Sequence, residues 1–208
     1  GGALVLAFAL AAYLYSSSEA SRVAALASAA DSPLERPHSQ GRGPADAKVV
    51  MVEFLDPACE ACRAFDPYVK AMLAQYPDEV RLVVRYAPFH QGSDTMVKIL
   101  EAAALQGRFW ETLKVMFDSQ PMWASHHDPK PERIWDFLPG AGVDIDRIRR
   151  DMEKPEFDRI LEQDMADIKT LNVRKTPSFF VNGQALQRFG YEQLKFMLDT
   201  EVKKQYPE

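Results

Sequence analysis

The sequence predicts an α/β fold, and three regions of the chain indicate it. Residues 49–55 and 79–86 are apolar, β-branched runs separated by a helical segment, and residues 178–187 contain a hairpin signal. Because a strand, helix, strand unit of this length needs a crossover, the first two strands are expected to be parallel. Residues 93–171 show only helical patterns. The predicted domain is therefore a mixed sheet whose chain is interrupted by a helical block.

Length and charge limit the possible functions. The chain has 208 residues with 47% hydrophobic and 11% aromatic content, which is enough for one good core and an extension. Its net charge is -5 and no block of like charges suggests a binding tail, so nucleic acid is not an expected partner. The chain's two cysteines, Cys59 and Cys62, lie too close together to staple the fold. Their expected use is redox or metal chemistry.

The first residues predict an N-terminal hydrophobic helix. Residues 3–15 form an uncharged apolar run, shorter than the roughly 20 residues of a spanning helix. Three interpretations stay open: an uncleaved membrane anchor, a signal peptide cleaved near residues 27–29, or a buried core helix. The first two would export the domain to the periplasm or another extracytoplasmic, oxidising space. We assign residues 1–18 to this signal peptide or anchor, and residues 19–46, rich in Ala, Ser, Pro and Gly, to a linker.

The two cysteines follow the first predicted strand. Cys59 falls at the first turn of the next helix and Cys62 one turn later, so their spacing places both sulfurs on one side. A thiolate is the nucleophile, and the unpaired N–H groups and dipole at a helix N-terminus favour the charged form. We therefore expect Cys59 to be the attacking sulfur and Cys62 to resolve the mixed disulfide that Cys59 forms.

Helical segments fill the block after the second strand. The last of them carries an apolar stripe on one face. The hairpin that follows turns at Asn182 and Gly183, and an amphipathic helix at residues 191–204 closes the chain. We predict helices within the block at residues 94–106, 109–117, 131–138, 145–152 and 155–171.

Two motifs together resemble a known family. The stretch VEFLDPACEAC places Glu53 six residues before Cys59, and far downstream Thr176 and Pro177 precede SFFVNG. In this order the motifs resemble the DsbA-like thiol:disulfide oxidoreductases of the thioredoxin superfamily, which is far more specific than a lone CxxC.

The resemblance implies both a fold and an activity. It implies a thioredoxin fold at residues 47–206 with an inserted helical subdomain at about 93–171, preceded by the N-terminal hydrophobic helix and the linker. The implied activity is disulfide exchange with reduced or misfolded exported proteins, without a cofactor. The implied partner is a membrane redox protein that resets the cysteine pair, and we expect a monomer.

The resemblance also assigns roles to residues around the cysteines. Glu53 is an acid inside an apolar strand, so its pKa should rise, and the family's matching acid exchanges protons with the resolving Cys62. A Glu53 that points to solvent at a strand edge is the alternative. In the family a cis-proline loop packs beside the cysteines. Thr176 and Pro177 are therefore expected to have a cis bond and to offer backbone to an extended peptide.

Several questions stay open at the level of sequence. Glu60 and Ala61 stand between the cysteines, where strongly oxidising members of the family carry Pro and His. The Glu60 carboxylate should raise the pKa of Cys59 and make the disulfide less oxidising, so oxidase and reductase or isomerase both remain possible. A non-catalytic module that binds copper or zinc through both thiolates is the alternative from another class. His126 and His127 could form a metal pair or line the peptide groove, although a polar loop is the default for adjacent histidines, and His90 could lie near the rim of the active site.

Overall fold

The computed structural model describes residues 2–27, 32–125 and 127–207, and five strands among these residues form one mixed sheet. The strands are β1 Gln40–Arg42, β2 Val49–Leu55, β3 Val80–Tyr86, β4 Ser178–Val181 and β5 Gln184–Ala185. Their order across the sheet is β1-β3-β2-β4-β5. Strands β2 and β3 are parallel, as predicted, and the other neighbouring pairs are antiparallel.

Helices cover both faces of this sheet. Within the described residues the α-helices are α1 Gly2–Ala27, α2 Glu60–Gln75, α3 Ser93–Ala104, α4 Phe109–Trp123, α5 Ile145–Asp151, α6 Pro155–Thr170 and α7 Tyr191–Gln205. Two short 3₁₀ turns, Pro131–Asp136 and Leu138–Ala141, connect α4 to α5. Helices α3 to α6 lie between β3 and β4, so the fold class predicted from the sequence, with its inserted helical subdomain, is confirmed.

Strand β2 contributes to two hydrophobic cores, one on each face of the sheet. Its residues alternate between the faces, because successive side chains of a strand point to opposite sides. Met51 and Leu55 pack into the larger core, whereas Val52 and Phe54 pack into the smaller one. Glu53 stands between them in the alternation and therefore shares the face of Met51 and Leu55, toward the larger core. This strand is buried on both faces, as its continuous apolar run predicts.

Helix α4 is longer than its apolar pattern indicates. The prediction ended at residue 117, where polar residues interrupt the apolar periodicity, but the helix continues to Trp123. Ser119 and Gln120 are buried because backbone carbonyls accept their side-chain hydrogen bonds, at 2.7 Å from Val115 for Ser119 and at 2.8 Å from Pro57 for Gln120. Buried polar groups that are hydrogen-bonded in this way leave no apolar signal in the sequence.

The segment expected to be a linker contains structure that the sequence did not predict. Strand β1 pairs with β3 at the sheet edge, although its three residues, QGR, carry no strand signal. Leu34, a few residues earlier, is buried in the smaller core. The backbone of β3 supplies the pairing, so composition alone cannot reveal it.

Helix α1 extends the predicted apolar helix to Ala27. Leu4–Val23 is long and apolar enough to cross a membrane, and the apolar side chains of its first half are exposed. Part of the possible cleavage site, residues 28 and 29, lies outside the described residues. The domain boundaries given by the sequence stay predictions.

Candidate active site

Cys59 is the N-cap residue of α2, one position before the first turn in which it was expected. Its carbonyl oxygen accepts the hydrogen bond of the Arg63 backbone N–H at 3.1 Å, which starts the helix. Its own N–H donates to the carbonyl of Asp56 at 3.0 Å, closing the turn between β2 and α2. The side chain is only 5% exposed. The helix end and this turn together fix the sulfur at the positive end of the helix dipole.

The surroundings of Cys59 favour its thiolate. A hydrogen bond from the Cys62 thiol is the largest influence, and burial opposes it. Bonds from the Thr176 side chain and from the backbone N–H groups of Ala61 and Cys62 add to the first effect. Together they lower the pKa of Cys59 to about 6. At neutral pH Cys59 is therefore a nucleophile, as a helix N-terminus predicts.

Cys62 has the opposite character. It is fully buried in the first turn of α2, and burial raises the pKa of its thiol strongly. Its bond to Cys59 and the charge of Glu53 raise the pKa further. The backbone N–H of Asp56 lies 3.5 Å from its sulfur. Cys62 therefore keeps its proton until a neighbouring base removes it.

Glu53 is the buried acid expected near Cys62. It is 6% exposed, and burial raises its pKa to about 8, with smaller contributions from the charges of Asp66 and Cys59. Its side chain lines a cavity of about 20 Å³ between the sheet, α2 and α4, which is room for one water molecule. A carboxyl group with this pKa can both accept and release a proton near neutral pH.

Thr176 and Pro177 lie beside the cysteines although they are far away in sequence. The Thr176–Pro177 peptide bond is cis, and the Cys59 thiol donates to the Thr176 carbonyl oxygen at 3.4 Å. Pro177 is buried, and β4 begins at the next residue. The structure therefore brings five of the residues singled out from the sequence to one place: Cys59, Cys62, Glu53, Thr176 and Pro177.

Two other predicted residues occupy the surface of the site. Glu60 and Ala61 are exposed in the first turn of α2. The Glu60 side chain is in contact with water, which screens its charge. The expected effect of Glu60 on Cys59 stays a prediction.

Asp56 is an organising residue that the sequence analysis missed. Its fully buried carboxylate accepts from the backbone N–H groups of Ala58, Phe89 and His90 at 2.7 to 2.9 Å, and from the Ser93 hydroxyl. The His90 ring binds the same carboxylate, with Nδ1 at 2.7 Å from Oδ2. Asp56 thus ties the turn before Cys59 to the loop before α3. An acid directly after a buried strand was the available signal.

The three histidines singled out from the sequence do not lie together at the site. His90 lies beside the turn that carries Cys59, whereas His127 is exposed and His126 lies outside the described residues. Within the described part of the chain, no group of three or more His, Cys, Asp or Glu side chains could hold a metal ion.

Aromatic side chains cover the surface next to α2. The Phe65 ring contacts the tilted rings of Phe179 and Phe189, with centroids 5.4 and 4.8 Å away, and Tyr68 contacts Tyr191 at 4.9 Å. Phe189 and Tyr68 are exposed. Because Phe65 follows Cys62 by three residues and Phe179 follows Pro177 by two, this aromatic surface adjoins the cysteines.

Comparison with known proteins gives the family. The family model described as thioredoxin matches residues 35–200. Among curated proteins, the Na(+)/H(+) antiporter NhaA of Herminiimonas arsenicoxydans is 32% identical over 146 residues, which are 70% of this chain and 22% of the antiporter. The antiporter NhaA 3 of Salinispora tropica is 31% identical over 156 residues, 73% of this chain and 23% of that protein. The chain thus spans less than a quarter of the length of these relatives.

Solved structures share the fold. A thioredoxin-like oxidoreductase from Silicibacter pomeroyi has a TM-score of 0.72 and 27% identity, covering 84% of this chain and 99% of that one. BdbD from Bacillus subtilis has a TM-score of 0.70 and 22% identity over 80% and 94% of the two chains. The alpha-DsbA1 protein of Wolbachia pipientis has a TM-score of 0.69 and 18% identity, and the match covers 83% of this chain and 93% of that one. The chain therefore belongs to the thioredoxin family.

Proposed function

We propose that this protein exchanges disulfides with the thiols of exported proteins, with Cys59 as the attacking sulfur and Cys62 as the resolving one. The observation that carries the proposal is the position of Cys59 as N-cap of α2. There its pKa is lowered to about 6 and its sulfur faces the Thr176 carbonyl. A structural disulfide would not require an acidic thiol.

Each step of the exchange can be assigned to a group at the site. In the oxidising direction a substrate thiolate attacks the Cys59 sulfur, the bond between Cys59 and Cys62 breaks, and Cys62 leaves with the electron pair. Glu53, protonated near neutral pH, gives Cys62 its proton through water, and the cavity that Glu53 lines has room for one water molecule. A second substrate thiolate then releases Cys59 as a thiolate. Two electrons pass from the substrate dithiol to the protein, and the reducing direction is the reverse.

The substrate is held as an extended peptide. The Thr176 backbone borders Cys59 and precedes β4, so a peptide can pair with this segment while its sulfur reaches Cys59. The adjoining aromatic surface favours apolar or aromatic side chains next to the reacting cysteine. Both features support reduced or misfolded proteins as substrates, because such chains expose extended apolar segments.

Helix α1 supports a location at a membrane. The exposed apolar side chains of its first half support an extracytoplasmic domain anchored to a membrane. A membrane redox partner would reset the cysteine pair after each exchange. The two curated relatives are antiporters, which also agrees with a domain that works at a membrane.

Trapping of intermediates tests the proposal. Cys62→Ser should accumulate mixed disulfides between Cys59 and substrate proteins, visible by non-reducing electrophoresis and mass spectrometry, whereas Cys59→Ser should form none. If neither variant forms mixed disulfides, the exchange function is contradicted. One copper or zinc ion per chain in protein purified without chelator would instead support the binding module with both thiolates as ligands.

The direction of electron flow is tested by the reduction potential of the pair. We propose neither direction over the other, because the low pKa of Cys59 favours an oxidant, whereas a carboxylate beside Cys59, such as that of Glu60, is expected to favour a reductase. A potential near -120 mV would identify an oxidase, and one near -270 mV a reductase.

A further inference from the structure

Helix α1 has two halves with different surroundings. Its first half is uncharged, and its large apolar side chains are 56 to 79% exposed: Leu4, Val5, Leu6, Phe8, Leu10, Tyr13, Leu14 and Tyr15. Its second half contacts the domain, where Val23 is 7% exposed in the smaller core and Arg22 lies 3.5 Å from the Thr170 carbonyl. Because the helix is continuous, Tyr15 and Val23 are only about 12 Å apart along its axis.

The second half of α1 meets the domain next to the active site. The helix and the domain enclose a groove of about 680 Å³, lined on the helix side by Tyr15, Glu19 and Val23. Its wall on the domain side includes Lys175 and Ser178. The residue after Lys175 is Thr176, whose carbonyl oxygen accepts a hydrogen bond from the Cys59 thiol. The wall of the groove therefore includes the chain neighbour of the residue that contacts the reacting sulfur.

The segment that follows α1 is also attached to the domain, so the connection between helix and domain is short. Residues 28–31 separate α1 from the segment 32–42, and the five steps of chain from Ala27 to Ser32 reach at most about 18 Å. That segment is fixed by buried charges: the Arg85 guanidinium donates to the Pro33 carbonyl and binds Asp164 and Asp167 at 2.6 and 2.7 Å. Arg36 also binds Asp167 at 2.7 Å, and His38 lies 2.7 Å from Asp164. The domain is thus held close to the end of α1 even where the groove opens.

The charge of the adjoining loop suits a membrane surface. Arg174 and Lys175 are exposed in the loop between α6 and β4, beside the groove. Glu19, the acidic residue on the facing helix, is paired with Arg22 at 2.6 Å. Exposed cations next to an apolar helix are attracted to anionic lipid headgroups.

We infer that α1 fixes the Cys59 edge of the domain at the boundary between lipid and water, and that its partners are cysteines of membrane-embedded proteins at headgroup level. This inference rests on the proposed disulfide exchange and deepens it. A flexible tether would give the site free access to soluble proteins. The short, doubly attached connection instead holds the thiolate of Cys59 at one height above the membrane.

Lipid-tethered substrates at two heights test the inference. The full chain is reconstituted in vesicles of phosphatidylcholine and phosphatidylglycerol. Exchange is then measured with one cysteine peptide in three forms: soluble, joined to a lipid headgroup directly, and joined through a long flexible spacer. Both lipid-linked forms share the membrane, so their comparison removes the effect of local concentration. We expect the direct form to react at least tenfold faster than the spaced form.

An insertion variant provides the control. Twelve Gly and Ser residues between Ser18 and Glu19 leave the contacts of Val23 with the domain intact but let the domain move about 20 Å from the anchor. We expect this variant to lose the tenfold preference and to keep the wild-type rate with the soluble peptide. The same insertion before Gly2 should change neither rate.

Two results would overturn the inference. Equal rates of the wild type with both lipid-linked peptides would show that the site is not held at one height. A preference that survives the insertion after Ser18 would show that α1 does not set it. Loss of reaction with the soluble peptide in the wild type would instead remove the proposed exchange function itself.

Discussion

The Cys59 sulfur lies 3.4 Å from the carbonyl oxygen of Thr176, although 117 positions separate the two residues in the chain. This contact joins the two halves of the fold, because Cys59 caps the helix after β2 and Thr176 precedes β4, the antiparallel neighbour of β2. The nucleophile and the backbone that can hold a substrate therefore meet at one edge of the sheet.

Replacing Glu53 with Gln should slow the step that uses Cys62. Glutamine fills the same space but cannot accept or release the proton, so we expect the second phase of reaction with a chromogenic aromatic disulfide to slow about 100-fold at pH 7. The first phase, attack by Cys59, should stay nearly unchanged. Glu192→Gln, at an exposed position of α7, is the control. An unchanged second phase would remove Glu53 from the proton transfer.

The same variant should change how stability depends on pH. The pKa of Glu53 is raised from 4.5 to about 8 in the folded protein, mainly by burial. The folded state therefore holds the proton more tightly, and this contribution is present below pH 4.5 and lost as the pH rises to about 8. Glu53→Gln should be more stable than the wild type above pH 8, by roughly 2 to 4 kcal/mol, and similar below pH 4.5. Urea unfolding at several pH values measures this, and parallel profiles would contradict it.

Asp56→Ala should destabilise the protein and loosen the turn before Cys59. The change leaves the buried N–H groups of Ala58, Phe89 and His90 without their acceptor, so we expect a loss of about 3 kcal/mol in the free energy of unfolding. The exposed Asp158, which pairs with Lys98, is the matched control. Asp158→Ala should cost less than about 0.5 kcal/mol, and similar losses for both variants would contradict the role of Asp56.

Arg85→Met should destabilise the protein, because Arg85 is the central cation of a buried charge cluster. Arg85 is fully buried, and its removal leaves the carboxylates of Asp164 and Asp167 without their central cation. We expect a loss of about 3 to 5 kcal/mol at neutral pH. Burial works to raise the pKa of Asp167, but bonds from Arg36 and Arg85 outweigh it and lower the pKa below 3.8. This stabilisation is present above pH 3.8 and lost as the pH falls through the folded pKa, so the two proteins should converge in acid.

Arg81→Met is the control for that comparison. Arg81 lies on the same strand and binds Glu35 at 2.6 Å near the surface. A partly exposed pair contributes little, so this variant should lose less than about 1 kcal/mol. Equal destabilisation by both substitutions would mean that burial of the Arg85 cluster does not matter.

Glu60→His should lower the pKa of Cys59 and make the protein more oxidising. The substitution removes a negative charge beside the thiolate and places an imidazole in the first turn of α2. Redox equilibration with glutathione measures the potential. A potential equal to that of the wild type would show that the exposed Glu60 does not influence the pair.

The sequence predicted those parts of the site that depend only on the pattern of neighbouring residues. The β2, α2, β3 unit follows from buried strand runs and the helical segment between them, and Cys59 and Cys62 follow from their place in it. The contact between Cys59 and Thr176 could be expected only through the resemblance to a family, because no local pattern joins residues so far apart.

Strand β1 and Asp56 show what local pattern leaves out. Strand β1 exists because the edge of β3 accepts its backbone, and any short polar segment can supply that pairing. Asp56 could be recognised as a buried acid after a strand, but its partners in the loop before α3 come together only in the folded chain. Gln120 is similar, since its bonds to the carbonyls of Pro57 and Cys59 depend on how α4 packs.

Titration of the Cys59 thiolate tests the central claim most directly. The ultraviolet absorbance of the reduced protein is followed against pH, with Cys59→Ser as the reference that lacks the reacting sulfur. The account predicts one thiolate in the wild type with a pKa near 6, absent from the reference. A thiolate that forms only near pH 8.5, the value of an ordinary cysteine, would contradict it.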